Sequence, residues 1–387
     1  MKKGLLFFFL IFSSLCIFSE EYWNYNPYTT EDTLFYVTFM KNGGAQTNAE
    51  VLQFFLYAST RSREANVTVY NAKSEEKISE FRCTNTTVGL DSIDDEKGFL
   101  ENSNKKYDRV LKVTSDVPIS LYASNYNNSS YGAFNVLPQK ALSKEYVIQT
   151  YGSDVDATQF AIIATQNNTT IHITPSAPIR WGDGSSTTVD PQIITLDKGE
   201  AYQIFANEPK NDLSGTIVCS DKSIAIFNGG QTSRSKKNQG TPDHIVEQIL
   251  PTYMWGKEFI VSQSKAQDYN VVKITAMYDN TKIYINNQEY KTLNKTESYE
   301  FVISKPNVDI KSSTLENRPR IKDEVVYINT TWPTSCFLYH TSESLNDEEN
   351  HMSENCDICN EDCVSFFSLN RYDNLYLFDG DAYLGFL

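Results

Sequence analysis

The stretch FAIIATQNNTTIHIT, residues 160–174, decides the fold because its pattern occurs three times in the chain. In each copy an apolar run leads into a turn, and a strand with alternating β-branched residues follows. The first copy is FFLYASTRSREANVTV at 54–69, and the third is VVKITAMYDNTKIYI at 271–285. Asparagine tolerates the left-handed turn conformation, and threonine and isoleucine favour half-buried strands. We therefore expect equivalent turns at Asn66, Asn168 and Asn280.

Two further landmarks flank each copy in the same order, an aromatic strand before it and a turn with a strand after it. Equivalent landmarks are 102 to 113 residues apart. Internal similarity at a regular spacing is typical of repeat architectures, so the sequence predicts one unit used three times. The aromatic strands are at 35–39, 145–148 and 258–261, and the later turns and strands are at 115–122, 220–227 and, more loosely, 330–337.

The chain is predicted to be all-β, because 24 Tyr, 22 Phe and 4 Trp accompany frequent β-branched residues and no convincing long amphipathic helix is present. A repeat of about 105 residues has the size of a small sandwich or barrel and twice that of a propeller blade. We expect three tandem repeats, each a β-sandwich-like module; a propeller-like ring with two blades per repeat is the alternative. In the second repeat, 197–200 is expected to form a hairpin turn.

The start of the chain predicts export. Lys2 and Lys3 precede an apolar run at 5–18, which is too short to span a bilayer and has the form of a signal peptide. No later stretch is apolar enough for a transmembrane span, so we predict a secreted protein or one on the extracellular face of the cell surface. The predicted segments are a signal peptide at 1–19, modules at 20–142, 143–250 and 251–342, and a tail rich in Cys, Asp and Asn at 343–387.

The net charge of −15, from 49 acidic and 34 basic residues, repels nucleic acid, so no nucleic-acid partner is expected. Neither a phosphate-binding glycine loop nor a dinucleotide fingerprint is present, and no cofactor is predicted. The acidic clusters at 94–96 and 379–381 do not match the spacing of a twelve-residue calcium loop. No metal site is therefore predicted.

Removal of Cys16 with the signal peptide leaves six cysteines, and an even number in an exported protein favours disulfides. The spacing of the three tail cysteines, with Cys336, His340 and His351 nearby, would also suit zinc, but an oxidising compartment favours disulfides. The sequence leaves open which of the 15 pairings forms. The disulfide candidates are Cys83, Cys219, Cys336, Cys356, Cys359 and Cys363.

Signals for N-glycosylation are frequent, which agrees with export through a eukaryotic secretory route. Those in predicted turns or strand ends could carry glycans without disturbing a core, and we expect several to be occupied. The eight signals begin at Asn66, Asn85, Asn127, Asn128, Asn167, Asn168, Asn294 and Asn329.

Catalysis is not expected, and no catalytic residue is assigned. Nucleophilic catalysis needs a histidine base, and the chain has only His172, His244, His340 and His351. His244 beside Asp243 has the most catalytic character, but no Gly-x-Ser-x-Gly elbow accompanies it, so a structural Asp-His pair is favoured.

One basic cluster stands out in this acidic chain. Arg234, Lys236 and Lys237 lie in a segment at 228–242 that is rich in Gly, Ser and Asn. A solvated loop is the simpler interpretation, but long loops on rigid β scaffolds also collect binding sites. We therefore take these three residues, with the adjoining Asp243 and His244, as candidate ligand-binding residues.

Several motifs occur in a fixed order along the chain: DVPISLY at 116–122, VLPQKAL at 136–142, KGEAYQ at 198–203, DLSGT at 212–216, DHIVEQILP at 243–251 and WGKEF at 255–259. Together they resemble the N-terminal domain of the IgGFc-binding protein family over residues 34–340. This resemblance implies an extracellular domain that binds a glycoprotein such as mucin or immunoglobulin. An extracellular glycan hydrolase and a structural surface-coat component are the alternatives.

This chain also departs from the family pattern. The family has a cysteine shortly before its Asp-His motif, whereas Gly240, Thr241 and Pro242 precede that motif here. The disulfide implied for this loop in the family is therefore absent or moved. The larger family member carries von Willebrand-type modules downstream, and assembly through such modules is not expected to carry over to this chain.

Overall fold

The fold is seen in a computed structural model that describes residues 30–43, 52–127, 130–181, 186–233, 242–263, 269–308, 310, 317–340 and 363–365. Within these residues the chain is nearly all β-strand, which confirms the predicted fold class. The one α-helix in the described part is the short α1, Asp95–Gly98. No helix in these residues is long and apolar enough to cross a membrane.

The first sheet has the strand order β4-β3-β7-β2-β5, with β1 and β8 also paired to β7. Every pairing in it is antiparallel. Strand β2 alternates between buried and less buried residues, which is typical of a strand that covers a core with one face. The strands are β1 (Asp32–Val37), β2 (Leu52–Ser59), β3 (Glu64–Asn71), β4 (Lys77–Thr84), β5 (Gly89–Ile93), β7 (Leu111–Asn127) and β8 (Ser130–Val136).

The second sheet has the order β14-β11-β16-β10-β15-β6, with β9 and β17 also paired to β16. Strands β12 (Ile179–Trp181) and β13 (Ser186–Thr188) form a separate two-stranded sheet. The strands of the second sheet are β6 (Lys105–Tyr107), β9 (Ser143–Val147), β10 (Thr158–Ala164), β11 (Thr169–Thr174), β14 (Gln192–Leu196), β15 (Ala201–Phe205), β16 (Ile217–Ser233) and β17 (Asp243–Gln248).

The third sheet has the order β21-β20-β24-β19-β22-β23, with β18 and β25 also paired to β24. Strand β25 belongs to the predicted tail, so the third sheet extends beyond the boundary expected at residue 342. Likewise, β6 lies in predicted module 1 but pairs with β15 of the second sheet. The strands are β18 (Gly256–Ser262), β19 (Tyr269–Ala276), β20 (Thr281–Ile285), β21 (Gln288–Leu293), β22 (Ser298–Ser304), β23 (Arg320–Ile321), β24 (Val325–Tyr339) and β25 (Cys363–Ser365).

One long strand organises each sheet: β7, β16 and β24 occupy equivalent places. The first half of each long strand pairs with two strands (β1 and β3; β9 and β11; β18 and β20), and the second half pairs with two others (β2 and β8; β10 and β17; β19 and β25). The same strand order therefore recurs three times along the chain. The exact limits of the three modules stay a prediction.

The middle of each long strand carries the same polar contact. In β7 the carboxylate of Asp116 accepts a hydrogen bond from the backbone N–H of Asn66, at 2.8 Å. Asp221 of β16 accepts one from the N–H of Thr170, also at 2.8 Å. In β24 the hydroxyl of Thr331 accepts the equivalent bond, at 2.9 Å, from Lys282. The pairing register of each long strand is irregular at this point, and the side chain provides an acceptor for an N–H that has no strand partner there.

The register corrects one alignment made from the sequence. Asn168 and Asn280 have left-handed backbone conformations, with φ of 52° and 58°, as predicted for turn residues. Asn66 does not; it lies within β3 and is equivalent to Thr170 rather than to Asn168. The connection between the two strands covers four residues in every copy, at 60–63, 165–168 and 277–280. The prediction of a turn at Asn66 was wrong because the asparagine of the first copy comes after this connection, inside the strand.

The predicted hairpin at 197–200 is also wrong in its pairing. A turn is present, with Gly199 at φ +78° and the N–H of Glu200 donating to the carbonyl of Asp197. The strands on either side pair with β11 and β10 instead of with each other. The turn is fixed by the first sheet, because Glu200 bonds Lys73 at 2.8 Å and a Cβ on Gly199 would meet the backbone of Lys73 at 2.4 Å.

Three hydrophobic clusters follow one another along the chain, and the central strands of the later sheets face two of them. In β10, Phe160 and Ile162 belong to the second cluster, whereas Ala161 and Ile163 belong to the first. In β19, Val271 packs in the second cluster, while Val272 and Ile274 pack in the third. The central strand of each later sheet is therefore buried on both faces, against its own core and against the preceding unit.

Candidate functional site

The candidate residues Asp243 and His244 begin β17, at the junction of the first and second sheets. Strands β8 and β17 lie against each other there and are joined near both ends. The N–H of Tyr131 donates to Asp243 Oδ1 at 2.6 Å, and the N–H of Leu137 donates to Gln248 Oε1 at 2.7 Å. A Cβ on Gly132 would come within 2.7 Å of Val246, so glycine permits this close approach.

His244 is fully buried, and both ring nitrogens have partners. Nδ1 lies 3.0 and 3.1 Å from the carbonyl oxygens of Gly230 and Gln231, and Nε2 lies 3.3 Å from the amide nitrogen of Asn125. Nδ1 therefore carries the proton, and Nε2 accepts from the amide. Burial lowers the pKa of His244 to about 4, so the ring is neutral at physiological pH. These contacts agree with a structural role.

Asp243 is fully buried as well, and burial raises its pKa to about 7. Its Oδ1 also accepts a hydrogen bond from the N–H of His244, at 2.7 Å. Neither Asp243 nor His244 reaches the surface, and a role for them in ligand binding stays a prediction. They hold the strand that follows the basic segment.

The basic residues Arg234, Lys236 and Lys237 lie outside the described residues. The last described residue before them, Ser233, is fully buried at the end of β16. Their role in ligand binding therefore stays a prediction. The chain leaves and re-enters the same buried junction on either side of them.

The two other histidines that the structure describes, His172 and His340, lie outside this site. His172 lies half-buried on β11, and His340 is buried with Nδ1 3.3 Å from the side-chain amide nitrogen of Asn270. His351, Cys356 and Cys359 lie outside the described residues, as does the side chain of Cys363. Across the part of the chain that the structure describes, no group of three His, Cys, Asp or Glu side chains could hold a metal ion.

Two of the six disulfide candidates are free thiols. Cys83 and Cys336 are buried, and burial raises the pKa of both. Each packs in a different hydrophobic cluster, and neither forms a disulfide in this structure; their use as disulfide partners stays a prediction. Cys219, half-buried on β16, is not a free thiol. Pairing of the tail cysteines stays a prediction.

The glycosylation signals differ in exposure. Asn127 is buried at the end of β7, where its amide lies 3.4 Å from the carbonyl of Asn42, so we expect no glycan there in the folded protein. Asn329 is half-buried on β24, and Asn128 lies outside the described residues. The exposed signals are at Asn66, Asn85, Asn167, Asn168 and Asn294.

A surface that the sequence reasoning missed is the outward face of β2. Tyr57 is the register equivalent of Ala161 in β10 and Lys273 in β19, both buried against the preceding unit. Tyr57 and Phe55 are only half-buried, their rings 6.3 Å apart, and Leu90, paired with Tyr57, is 56% exposed. We call Phe55, Tyr57 and Leu90 the open face. Only the first copy has aromatic residues at these outward positions, and this difference in the sequence could have revealed the surface.

Comparison with known proteins gives a family and one relative. The sequence matches the family described as IgGFc binding protein over residues 132–358, more than half of the chain. It is 24% identical over 185 residues to the IgGFc-binding protein of Homo sapiens. That alignment covers 47% of this chain and 3% of the human protein, so the chain spans a small part of its relative's length.

Proposed function

Because the chain belongs to the IgGFc-binding protein family, we propose that it is an extracellular binding protein whose partner is a glycoprotein, the Fc part of immunoglobulin G being the first candidate. A mucin is the second candidate. The signal-like start and the exposed glycosylation signals support secretion or display on the cell surface as part of the same proposal.

The observation that carries the proposal is the open face. In the second and third sheets, the equivalent positions pack against a neighbouring unit, whereas the first sheet places Phe55, Tyr57 and Leu90 there. Aromatic residues are enriched at protein interfaces because they bury large areas at low cost in conformational entropy. A face built for sheet packing is suited to dock a protein surface.

The contacts of His244 favour binding over the hydrolase alternative. Both of its ring nitrogens are taken by structural hydrogen bonds, so the best catalytic candidate of the sequence is not placed to act as a base. A glycan hydrolase would need two carboxylates facing each other across a substrate cleft. The carboxylate next to His244, that of Asp243, is buried and accepts a backbone hydrogen bond from Tyr131 instead of lining a cleft.

The test is a binding measurement with immobilised immunoglobulin G Fc and, in parallel, purified mucin. Tyr57→Ser and Leu90→Ser should each weaken binding at least about tenfold, as expected for residues central to an interface. Ile193→Ser is the matched control, because Ile193 is 63% exposed on β14 of the second sheet. Equal binding by all three variants would contradict the open face as the binding surface, and no binding to either ligand would contradict the proposed partners.

The basic segment offers a second contribution to the same binding. Arg234, Lys236 and Lys237 are clustered positive charges in a chain of net charge −15, and anionic glycoproteins could approach there. The triple replacement by alanine should reduce association by about tenfold and reduce the salt dependence of binding. Unchanged association would restrict the binding surface to the open face.

A further inference from the structure

Four buried side-chain oxygens at the junction of β8 and β17 have no hydrogen-bond partner within the part of the chain that the structure describes. All four belong to fully or almost fully buried residues, with exposed fractions of 2% or less. Buried polar atoms normally have partners, so a group of such atoms requires an explanation. The atoms are Asn127 Oδ1, Ser130 Oγ, Ser233 Oγ and Asp243 Oδ2.

The backbone register brings these residues together. Asn127 and Ser130 face each other at the end of the β7–β8 pair, and Ser233 faces Asp243 at the equivalent end of the β16–β17 pair. The two ends meet because the N–H of Tyr131, the residue after Ser130, donates to Asp243 Oδ1 at 2.6 Å. Oδ1 of the Asp243 carboxylate thus accepts hydrogen bonds from backbone N–H groups, and Oδ2 has no hydrogen-bond partner.

We propose that these four residues form a binding site for a calcium ion at the junction of the first two repeats. The donors are one carboxylate, one amide oxygen and two hydroxyl oxygens, which are hard ligands of the kind that calcium prefers. Calcium takes six to eight oxygens in flexible geometry, so water and backbone carbonyl oxygens would complete its coordination. No histidine or thiol is among the donors, which disfavours zinc and copper.

The charge of the junction supports a cation. Burial is the main influence on Asp243 and raises its pKa, and the backbone hydrogen bonds from Tyr131 and His244 offset this only in part. A buried carboxylate without a positive partner is costly, and a bound cation would remove that cost.

The site is expected to bind calcium weakly. A single carboxylate provides little charge, and extracellular calcium modules with few charged ligands have dissociation constants of about 0.1 to 1 mM. Extracellular calcium is high enough to fill such a site. Because the site joins two units, its occupancy should stabilise the junction and the strands on either side of the basic segment, independently of which partner the protein binds.

The test uses the purified full chain, treated with chelator and then titrated with calcium chloride. The melting temperature of the wild type should rise by a few degrees at millimolar calcium, with saturation. Asp243→Asn keeps the acceptor for the two N–H groups but removes the charge. This variant should melt no lower than the wild type in chelator and should not respond to calcium. An equal calcium response in wild type and Asp243→Asn would overturn the proposal.

Two further variants keep the test decisive. Asn127→Asp adds a second carboxylate to the same site and should tighten calcium binding at least about tenfold. Asp95→Asn with Glu96→Gln removes two exposed charges of the acidic cluster near α1 and should leave the response unchanged. Loss of the response in that control, or no response of any variant, would mean surface binding or a buried water at the junction and would overturn the site.

Discussion

Lys273 shows how a single residue joins two units. Its side chain is 1% exposed on β19 of the third sheet, and its ammonium donates to the carbonyl of Thr150, at 3.0 Å, in the second unit. The ammonium also contacts the carboxylates of Asp212 and Glu300, the latter at 3.2 Å. Arg318 completes the group at 2.7 Å from Glu300. Two positive and two negative charges are therefore balanced at the interface.

Replacing Lys273 by methionine should destabilise the protein. The change leaves two carboxylates at the interface without their shared ammonium, and removal of one member of a buried ion pair is costly. Because Asp212 and Glu300 are partly solvated, we expect a loss of about 2 to 3 kcal/mol in the free energy of unfolding, measured by urea denaturation. The triple variant Lys273→Met, Asp212→Asn, Glu300→Gln should recover part of it; no recovery would contradict the ion-pair explanation.

The same group predicts acid sensitivity. Burial opposes ionisation of Asp212 and Glu300, but the ammonium of Lys273 outweighs it and holds the pKa of both below their ordinary values. A lowered carboxyl pKa contributes stability that is present above the unfolded value, about 4.5 for Glu300, and is lost as pH falls further. The free energy of unfolding should fall more steeply below that pH in the wild type than in Lys273→Met. Parallel pH profiles would refute this.

Exposure predicts which glycosylation signals are used. In protein secreted by a eukaryotic host, the exposed Asn85, Asn167 or Asn168, and Asn294 should carry glycans, whereas buried Asn127 should not. Peptide mass spectrometry before and after N-glycanase treatment would show this. Unmodified asparagine at every exposed signal would refute export through a glycosylating route, and a glycan on Asn127 would refute its burial.

At the scale of elements, each long strand carries a side-chain acceptor where its pairing register is irregular. Asp116, Asp221 and Thr331 each accept a hydrogen bond from an N–H of the neighbouring strand. The residue before each acceptor makes a second recurring hydrogen bond, from its hydroxyl to the carbonyl two residues later. Ser115 donates to Val117, Ser220 to Lys222 and Thr330 to Trp332. The register irregularity with its side-chain hydrogen bond is therefore a repeated local structure.

Replacing Asp221 by alanine should cost about 1 kcal/mol in the free energy of unfolding, because the N–H of Thr170 loses its acceptor. Asp221→Asn keeps an oxygen at the same place and should lose less than half of that amount. Thermal or urea unfolding of the two variants would test the prediction. Equal stability of the alanine variant and the wild type would show that water satisfies the N–H instead.

The sequence predicted the recurring strands well because their signals are local. Alternating β-branched residues and turn asparagines gave the strands around Phe160, Ile171 and Ile224 and the turns at Asn168 and Asn280. Pairing is not local. The crossover at 197–200 has the residues of a hairpin, and only the long-range order of the sheet shows that its strands lie on either side of three others.

At the scale of the whole molecule, the three sheets are stacked, and this arrangement explains the candidate surfaces. Each later sheet buries a second face against its predecessor, so the first sheet has an open face and the junctions have polar groups to satisfy. Such nearest-neighbour packing is typical of repeat proteins. The sequence identified Asp243 and His244 as unusual but could not show their burial, because that depends on contacts between repeats.

The most direct test of the account is hydrogen–deuterium exchange of the mature chain with and without immunoglobulin G Fc, or mucin if only mucin binds. Binding is expected to slow exchange in β2 and β5, which carry the open face, and to leave exchange in the edge strands β14 and β21 unchanged. Protection of β14 or β21 without protection of β2 and β5 would contradict it.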